Sequence, residues 1–226
     1  MSARDAILGR LRAAIPTTTA AATLPDVSSW YASHQRNEDL PQRIARLRSA
    51  LQAVQTQVHD TTAADWPELL LRLAAAKGLR NLLIGTDTPH GATLQARQPE
   101  GLLLLPYEQV IDGWRDSLFD NINASLTLAR SAIAETGSLV LWPSASEPRL
   151  MSLVPPVHFV LLDASTIHAD LHSAFRAEGW KDQLPTNALL ICGPSKTADI
   201  QQTLAYGAHG PRELVVLLCH PEGVAP

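Results

Sequence analysis

From Asp65 onward, apolar runs of about strand length recur between stretches long enough for helices, and this alternation constrains the fold more than any other feature. The runs are Asn81–Ile84, Gly101–Leu105, Ser138–Trp142, Val157–Leu162, Ala188–Cys192 and Leu214–Cys219. Runs this short, bounded by Gly and Pro, suit strands better than buried helices. Leu102–Leu105 and Leu214–Leu218 are apolar without alternation, as strands covered on both faces are. Between the runs, three segments predict helices: Trp66–Lys77, Thr166–Glu178 and Thr197–Ala205. Asp65 suits the cap of the first and Gly78 its C′ position. The pattern predicts an α/β fold with a largely parallel sheet covered by helices. In such sheets ligands bind beyond the C-terminal ends of the strands, which puts Gly85–Gly91 and Gly193–Lys196 on the expected functional rim.

Before Asp65 the pattern is helical. Arg4–Ala14 has a partly apolar face and Pro16 stops it. Thr17–Ser29, rich in Thr, Ala, Ser and Pro, predicts a linker or extended arm. In Tyr31–Val58 the residues Ile44, Leu47, Leu51, Val54 and Val58 recur at three- and four-residue steps, which predicts one long amphipathic helix. The expected division is an N-terminal helical segment over residues 1–60 and an α/β domain over residues 61–226.

Charge and cysteine content narrow the function classes. The net charge is −4 and no basic run occurs, so neither nucleic acid nor a membrane surface is an expected partner. No apolar run reaches the roughly 18 residues of a membrane span. Met1–Ile15 is broken by Arg4, Asp5, Arg10 and Arg12, unlike a secretory signal. Cys192 and Cys219 form no CxxC pair, so no disulfide framework, zinc site or iron–sulfur cluster is expected. A reducing cytoplasm is the simplest compartment. Charged residues are only 18% of the chain, which favours self-association or a partner protein. No G-x-S-x-G occurs, which leaves Ser-His-Asp catalysis weakly supported, and with no H-E-x-x-H, no G-x-G-x-x-G and no other haem, flavin or nicotinamide fingerprint no cofactor of its own is expected. His168 and His172 stand at a helical i, i+4 spacing and read as a solvated face rather than a metal pair.

Three loops concentrate the remaining chemistry. In the first, Glu135, Thr136 and Gly137 precede a strand. Glu135 is a candidate general base or nucleophile, or else a carboxylate that fixes its own turn. In the second, Gly193, Pro194, Ser195, Lys196, Thr197 and Asp199 follow a strand. With Ser195 or Thr197 capping a helix, its free amides and Lys196 can hold an anion. Asp199 in the first turn already complements the helix dipole, so a bare phosphate is disfavoured and a well-capped structural turn is the alternative. In the third, Gly207 and Gly210 flank His209, a candidate acid, base or ligand donor, and Glu213 follows. His158, after Pro155-Pro156, either lines the site or starts a strand.

Taken together, Ile133–Ser138, Leu153–His158, Gly193–Ile200 and Gly207–Glu213 resemble, in residues, order and spacing, the LUD domain, the family of lactate utilization protein C. The resemblance is specific from about Asn123 to Cys219. It implies a fold similar to the sugar-isomerase and CoA-transferase type, with an N-terminal helical segment. It also implies a role in oxidation of L-lactate to pyruvate beside two partner proteins with cysteine-rich iron–sulfur motifs. This chain resembles the small member without such clusters. CoA-transferase relatives use a glutamate near a Gly turn, and Glu135-Thr136-Gly137 is similar by fold-level analogy. The expectation is a subunit that binds a small carboxylate or other anion where the three loops meet. Glu135 and His209 are its catalytic candidates, and Thr136, Gly137, Gly193–Thr197, Asp199, Gly210 and Glu213 its ligand-binding ones. The alternatives are a scaffold or regulator of the iron–sulfur partners, or a CoA-transferase-like enzyme.

Overall fold

The computed structural model describes residues 3–14, 25–34, 36–97, 99–108, 113, 115–198, 204–207 and 209–221. The chain divides into two compact units, Met1–Arg36 and Asn37–Pro226. In the first, α1 (Ala3–Ala14) and α2 (Val27–His34) bury no residue. Ile7, Leu11, Val27 and Trp30 are exposed on them. Val27–Ser29, predicted as part of a linker, is the first turn of α2.

The second unit opens with α3 (Leu40–Ala53). Asp39 accepts from the Gln42 amide while the Gln42 side chain accepts from the Asp39 amide, a reciprocal cap that starts the helix. Ile44, Leu47 and Leu51 are buried as the periodicity predicts. The single helix expected over 31–58 is not formed. α3 ends at Ala53, Gln55 takes a left-handed backbone (φ 67°), and Val58 lies on β1 (Gln57–Thr62). A four-residue step fits both the helical and the strand period, so Val54 and Val58 extended the apparent stripe. Val54 is in fact half exposed.

The chain continues through α4 (Trp66–Ala76), β2 (Asn81–Ile84), α5 (Pro89–Arg97), β3 (Leu103–Pro106), α6 (Arg115–Asp120) and β4 (Ala124–Leu128). There follow β5 (Ser131–Ile133), β6 (Ser138–Leu141), α7 (Leu150–Leu153), β7 (Val157–Asp163), β8 (Ile167–His168) and α8 (Leu171–Ala177). The last elements are β9 (Leu189–Ile191), β10 (Lys196–Ala198), β11 (Leu204–Tyr206) and β12 (Glu213–His220). Asp65 stands at the cap position of α4 but makes no capping bond; its carboxylate accepts from the Thr62 hydroxyl instead. Gly78 has the predicted left-handed backbone, φ 64°.

Six strands form a parallel sheet in the order β1-β12-β7-β4-β2-β3. Alternate residues of β12 serve two cores. Leu214, Val216 and Leu218 pack with Ile44, Leu47 and Leu51 of α3, and Val215 and Leu217 pack with Trp66, Leu70 and Ala74 of α4. Each such fully buried Leu contributes roughly 2 kcal/mol of transfer free energy. This is the doubly covered α/β sheet that the apolar runs predict.

A second, mixed sheet, β8-β5-β6-β9, was not predicted. It carries two of the predicted strands, Ser138–Trp142 and Ala188–Cys192, away from the main sheet. It also breaks the helix expected over Thr166–Glu178, because Ile167–His168 pairs with β5 and only Leu171–Ala177 is α-helical. His168 and His172 therefore do not share a helix face. The helix expected over Thr197–Ala205 is replaced, among the described residues, by the antiparallel pair β10–β11; residues 199–203 lie outside them.

Candidate functional site

The first predicted loop is the β5–β6 hairpin turn. The amides of Ala134 and Glu135 donate to the carbonyls of His168 and Ala169 at 2.9 and 3.1 Å. Gly137 has φ 66°, and a Cβ there would stand 2.7 Å from the Ala50 Cβ of α3. Thr136 and Ser138 hydroxyls lie 2.7 Å apart, and Ser138 Oγ is 3.1 Å from Cys192 Sγ. A Cβ on Gly193 would stand 2.8 Å from Val54 Cγ2. Gly137 and Gly193 thus both receive the C-terminal end of α3. Glu135 and Thr136 face solvent beside this junction. An exposed carboxylate keeps its hydration shell and lacks the desolvation that makes an efficient base or nucleophile.

Ser195 belongs to a different place. Its amide donates to Pro211 O at 2.8 Å, and its carbonyl accepts from the Gly207 amide at 3.0 Å. The Arg212 and Glu213 amides both donate to Pro156 O, at 2.8 and 3.1 Å. These bonds tie the third loop to Ser195 on one side and to the α7–β7 connection on the other. Between them opens a cleft of about 510 Å³ lined by Phe119, Leu153, Val154, Pro156, Gly207, His209, Gly210 and Arg212. The Arg212 side chain lies over Gly207, where φ is 80° and any Cβ would overlap it. Arg212 is exposed and has no acidic partner among the described residues. Phe119 retains 55% of its surface at the cleft.

The cleft opens at the edge where β7 and β12 begin, the N-terminal end of the parallel strands. At the expected C-terminal rim, the described residues pack closely after β2. After β2, a Cβ on Gly85 would stand 2.7 Å from Glu147 Cγ and 2.8 Å from Ser146 O. Glu147 also meets His90 Nε2 at 2.7 Å and accepts from the Leu128 amide at 3.3 Å. The crevice between the ends of β2 and β4 is therefore closed by the chain itself, and Gly85–Gly91 serves packing there.

The structure brings His209 and Gly210 to the cleft, with Ser195 beside them, its Oγ accepting from the His209 amide at 3.4 Å. It leaves Glu135, Thr136, Gly137 and Gly193 at the α3 junction, with Pro194 between the two places. Lys196 is exposed on β10, Thr197 pairs with Ala205, and Asp199 lies outside the described residues. Glu213 is bound by Lys77 and by Gln57 Nε2 at 3.2 Å, on the β1 side. His158 does not line the cleft. It is fully buried on β7, its Nε2 is 2.8 Å from Thr127 Oγ1, and burial pushes its pKa down to about 3, so the ring is neutral. Six lining residues escaped the sequence reading as ligand contacts. Leu153, Val154, Pro156, Gly207 and Arg212 sit inside motifs that had been singled out, whereas Phe119 carried no signal. Among the described residues no three His, Cys, Asp or Glu side chains converge as metal ligands, and no helix is long and apolar enough to cross a membrane.

The model of the LUD domain family matches residues 44–219. An uncharacterized protein of Neisseria meningitidis serogroup B is 40% identical over 233 residues, spanning 100% of this chain and 97% of that protein. Lactate utilization protein C of Anoxybacillus flavithermus is 25% identical over 172 residues, 73% of this chain and 74% of that protein. Its counterpart in Macrococcus caseolyticus is 33% identical over 96 residues, covering 41% of this chain and 42% of that protein. A crystal structure of a DUF162 family protein from Deinococcus radiodurans superposes with a TM-score of 0.60 at 18% identity, over 80% of this chain and 99% of that one. At that identity the likeness is one of fold.

Proposed function

The chain belongs to the LUD domain family, and from that premise we propose that it is a subunit of a lactate utilization system that binds an organic anion in the cleft beside Arg212. Relatives called lactate utilization protein C supply the process. The observation that carries the ligand class is Arg212, a guanidinium without a carboxylate partner among the described residues, laid over Gly207 against apolar walls. A planar guanidinium offers a carboxylate two parallel hydrogen bonds. His209 and Gly210 stand at the same cleft, where the imidazole can hydrogen-bond the ligand or exchange a proton with it. In this reading Glu135 takes no part in the binding step. Iron–sulfur partner proteins of the kind the resemblance implies would carry the electrons of L-lactate oxidation.

Lactate-dependent dye reduction by the reconstituted subunits tests the reading, with single variants Arg212→Gln and Glu135→Gln. The expected result is at least a tenfold loss for Arg212→Gln and under a twofold change for Glu135→Gln. Full activity in Arg212→Gln would remove the cleft from the function. A second role, docking of the partners, is favoured by α1 and α2, which bury nothing and expose Ile7, Leu11, Val27 and Trp30.

A further inference from the structure

The cleft is too large for a three-carbon hydroxy acid alone. A ligand with six non-hydrogen atoms fills about 180 Å³, taking about 30 Å³ for each water-sized group. The cleft holds about 510 Å³, inside the range of roughly 300–1,000 Å³ in which drug-sized molecules bind. Its chemistry is divided. Arg212, His209 and the glycines Gly207 and Gly210 supply the polar side, and Phe119, Leu153, Val154 and Pro156 supply an apolar one. With lactate alone at Arg212, the remaining volume would hold water against apolar side chains, and the half-exposed Phe119 ring would stay uncovered.

We infer that the ligand of this cleft is an amphipathic carboxylate whose charged end meets Arg212 and whose aromatic or branched body lies against Phe119, Leu153, Val154 and Pro156. The inference rests on the anion-binding reading above and narrows it to a class larger than lactate. Phe119 offers a ring face for offset or edge contact with such a body. Arg212 lies across the Gly207 backbone, where the missing Cβ leaves its stem room beside the cleft.

Titration calorimetry with L-lactate and L-3-phenyllactate as probes tests this on the full chain and on the variants Arg212→Gln and Phe119→Ala. Phenyllactate is expected to bind at least tenfold more tightly than lactate, since it adds a ring against the apolar walls. Arg212→Gln is expected to weaken phenyllactate at least tenfold. Phe119→Ala is expected to weaken phenyllactate about fivefold and leave lactate within twofold. If lactate binds as tightly as phenyllactate and Arg212→Gln weakens it, the size class is wrong and the anion site stands. If phenyllactate binds equally to Arg212→Gln, or neither probe binds at about 10 mM, the anion site itself falls, and the inference with it. Circular dichroism and the Tm of each variant separate lost binding from lost fold.

Discussion

Two regions of this molecule carry the same kind of sequence, a glycine among polar residues at a turn, and use it in opposite ways. At the β5–β6 turn and after β9, Gly137 and Gly193 are glycine because α3 presses on them through Ala50 and Val54. At the third loop, Gly207 is glycine because the chain's own Arg212 lies across it. Ala50 sits on a packed helix and cannot withdraw, whereas the Arg212 stem can swing into solvent. The first region is a rigid junction that closes space; the second is an adjustable wall that leaves it open. Motif chemistry alone does not tell them apart, since both satisfy the same local turn requirement.

The contrast can be broken most directly at its rigid end. Gly137→Val adds a β-branched side chain at φ 66° and against Ala50, and is expected to cost about 3–5 kcal/mol in urea unfolding. Gly207→Ala carries a similar left-handed backbone, φ 80°, but meets a flexible neighbour. Its expected cost is about 1–2 kcal/mol, with at least a fivefold loss of cleft affinity as Arg212 is displaced. Equal destabilisation by the two variants would erase the distinction between junction and wall.

A second prediction concerns the packed sheet next to the cleft. His158 is held neutral with a pKa of about 3, while in the unfolded chain it titrates near 6.5. Between these values the unfolded state binds the extra proton, so stability falls as pH drops from about 6.5 toward 3 and levels off below. At pH 5 the loss is about 2 kcal/mol relative to pH 7. Comparing urea midpoints of the wild type and His158→Leu across this range measures it. A wild-type slope no steeper than that of the variant would mean that His158 is not buried neutral.

The smallest expected effect is chemical. Cys192 is exposed at the α3 junction, whereas burial, with Asp163 nearby, pushes the Cys219 thiol up to about 12. Brief iodoacetamide treatment of the native protein at pH 8 should label Cys192 with the fold intact and leave Cys219 almost unmodified, as read by peptide mass spectrometry. Rapid labelling of Cys219 would show that the last strand opens.

Much of the main sheet was legible, because β2, β3, β7 and β12 are continuous apolar runs between helices. β4 was not. Its Ser125 and Thr127 look like a solvent face, yet both are buried, with Ser125 Oγ donating to Met151 O and Thr127 Oγ1 meeting His158. A polar residue satisfied by a partner distant in sequence cannot be distinguished from one satisfied by water. The same limit applies to the site. Glu135, the most reactive side chain by type, stands exposed at a packed turn, while Arg212, an ordinary surface residue by type, faces the cleft.

The opening alternation of short apolar runs and helices was enough, by itself, to determine an α/β sheet with two covered faces, because strand and helix periods are written in neighbours a few residues apart. Tertiary structure alone decided that this chain builds a second sheet, that Glu147 packs against Gly85 after β2, and that a cleft opens where β7 and β12 begin. Those outcomes depend on which distant surfaces pack against each other, and on which carbonyls, such as Pro156 O and Ser195 O, remain to tie loops together. Residues 119, 153, 156, 209 and 212 acquire a common chemistry only once that packing is complete.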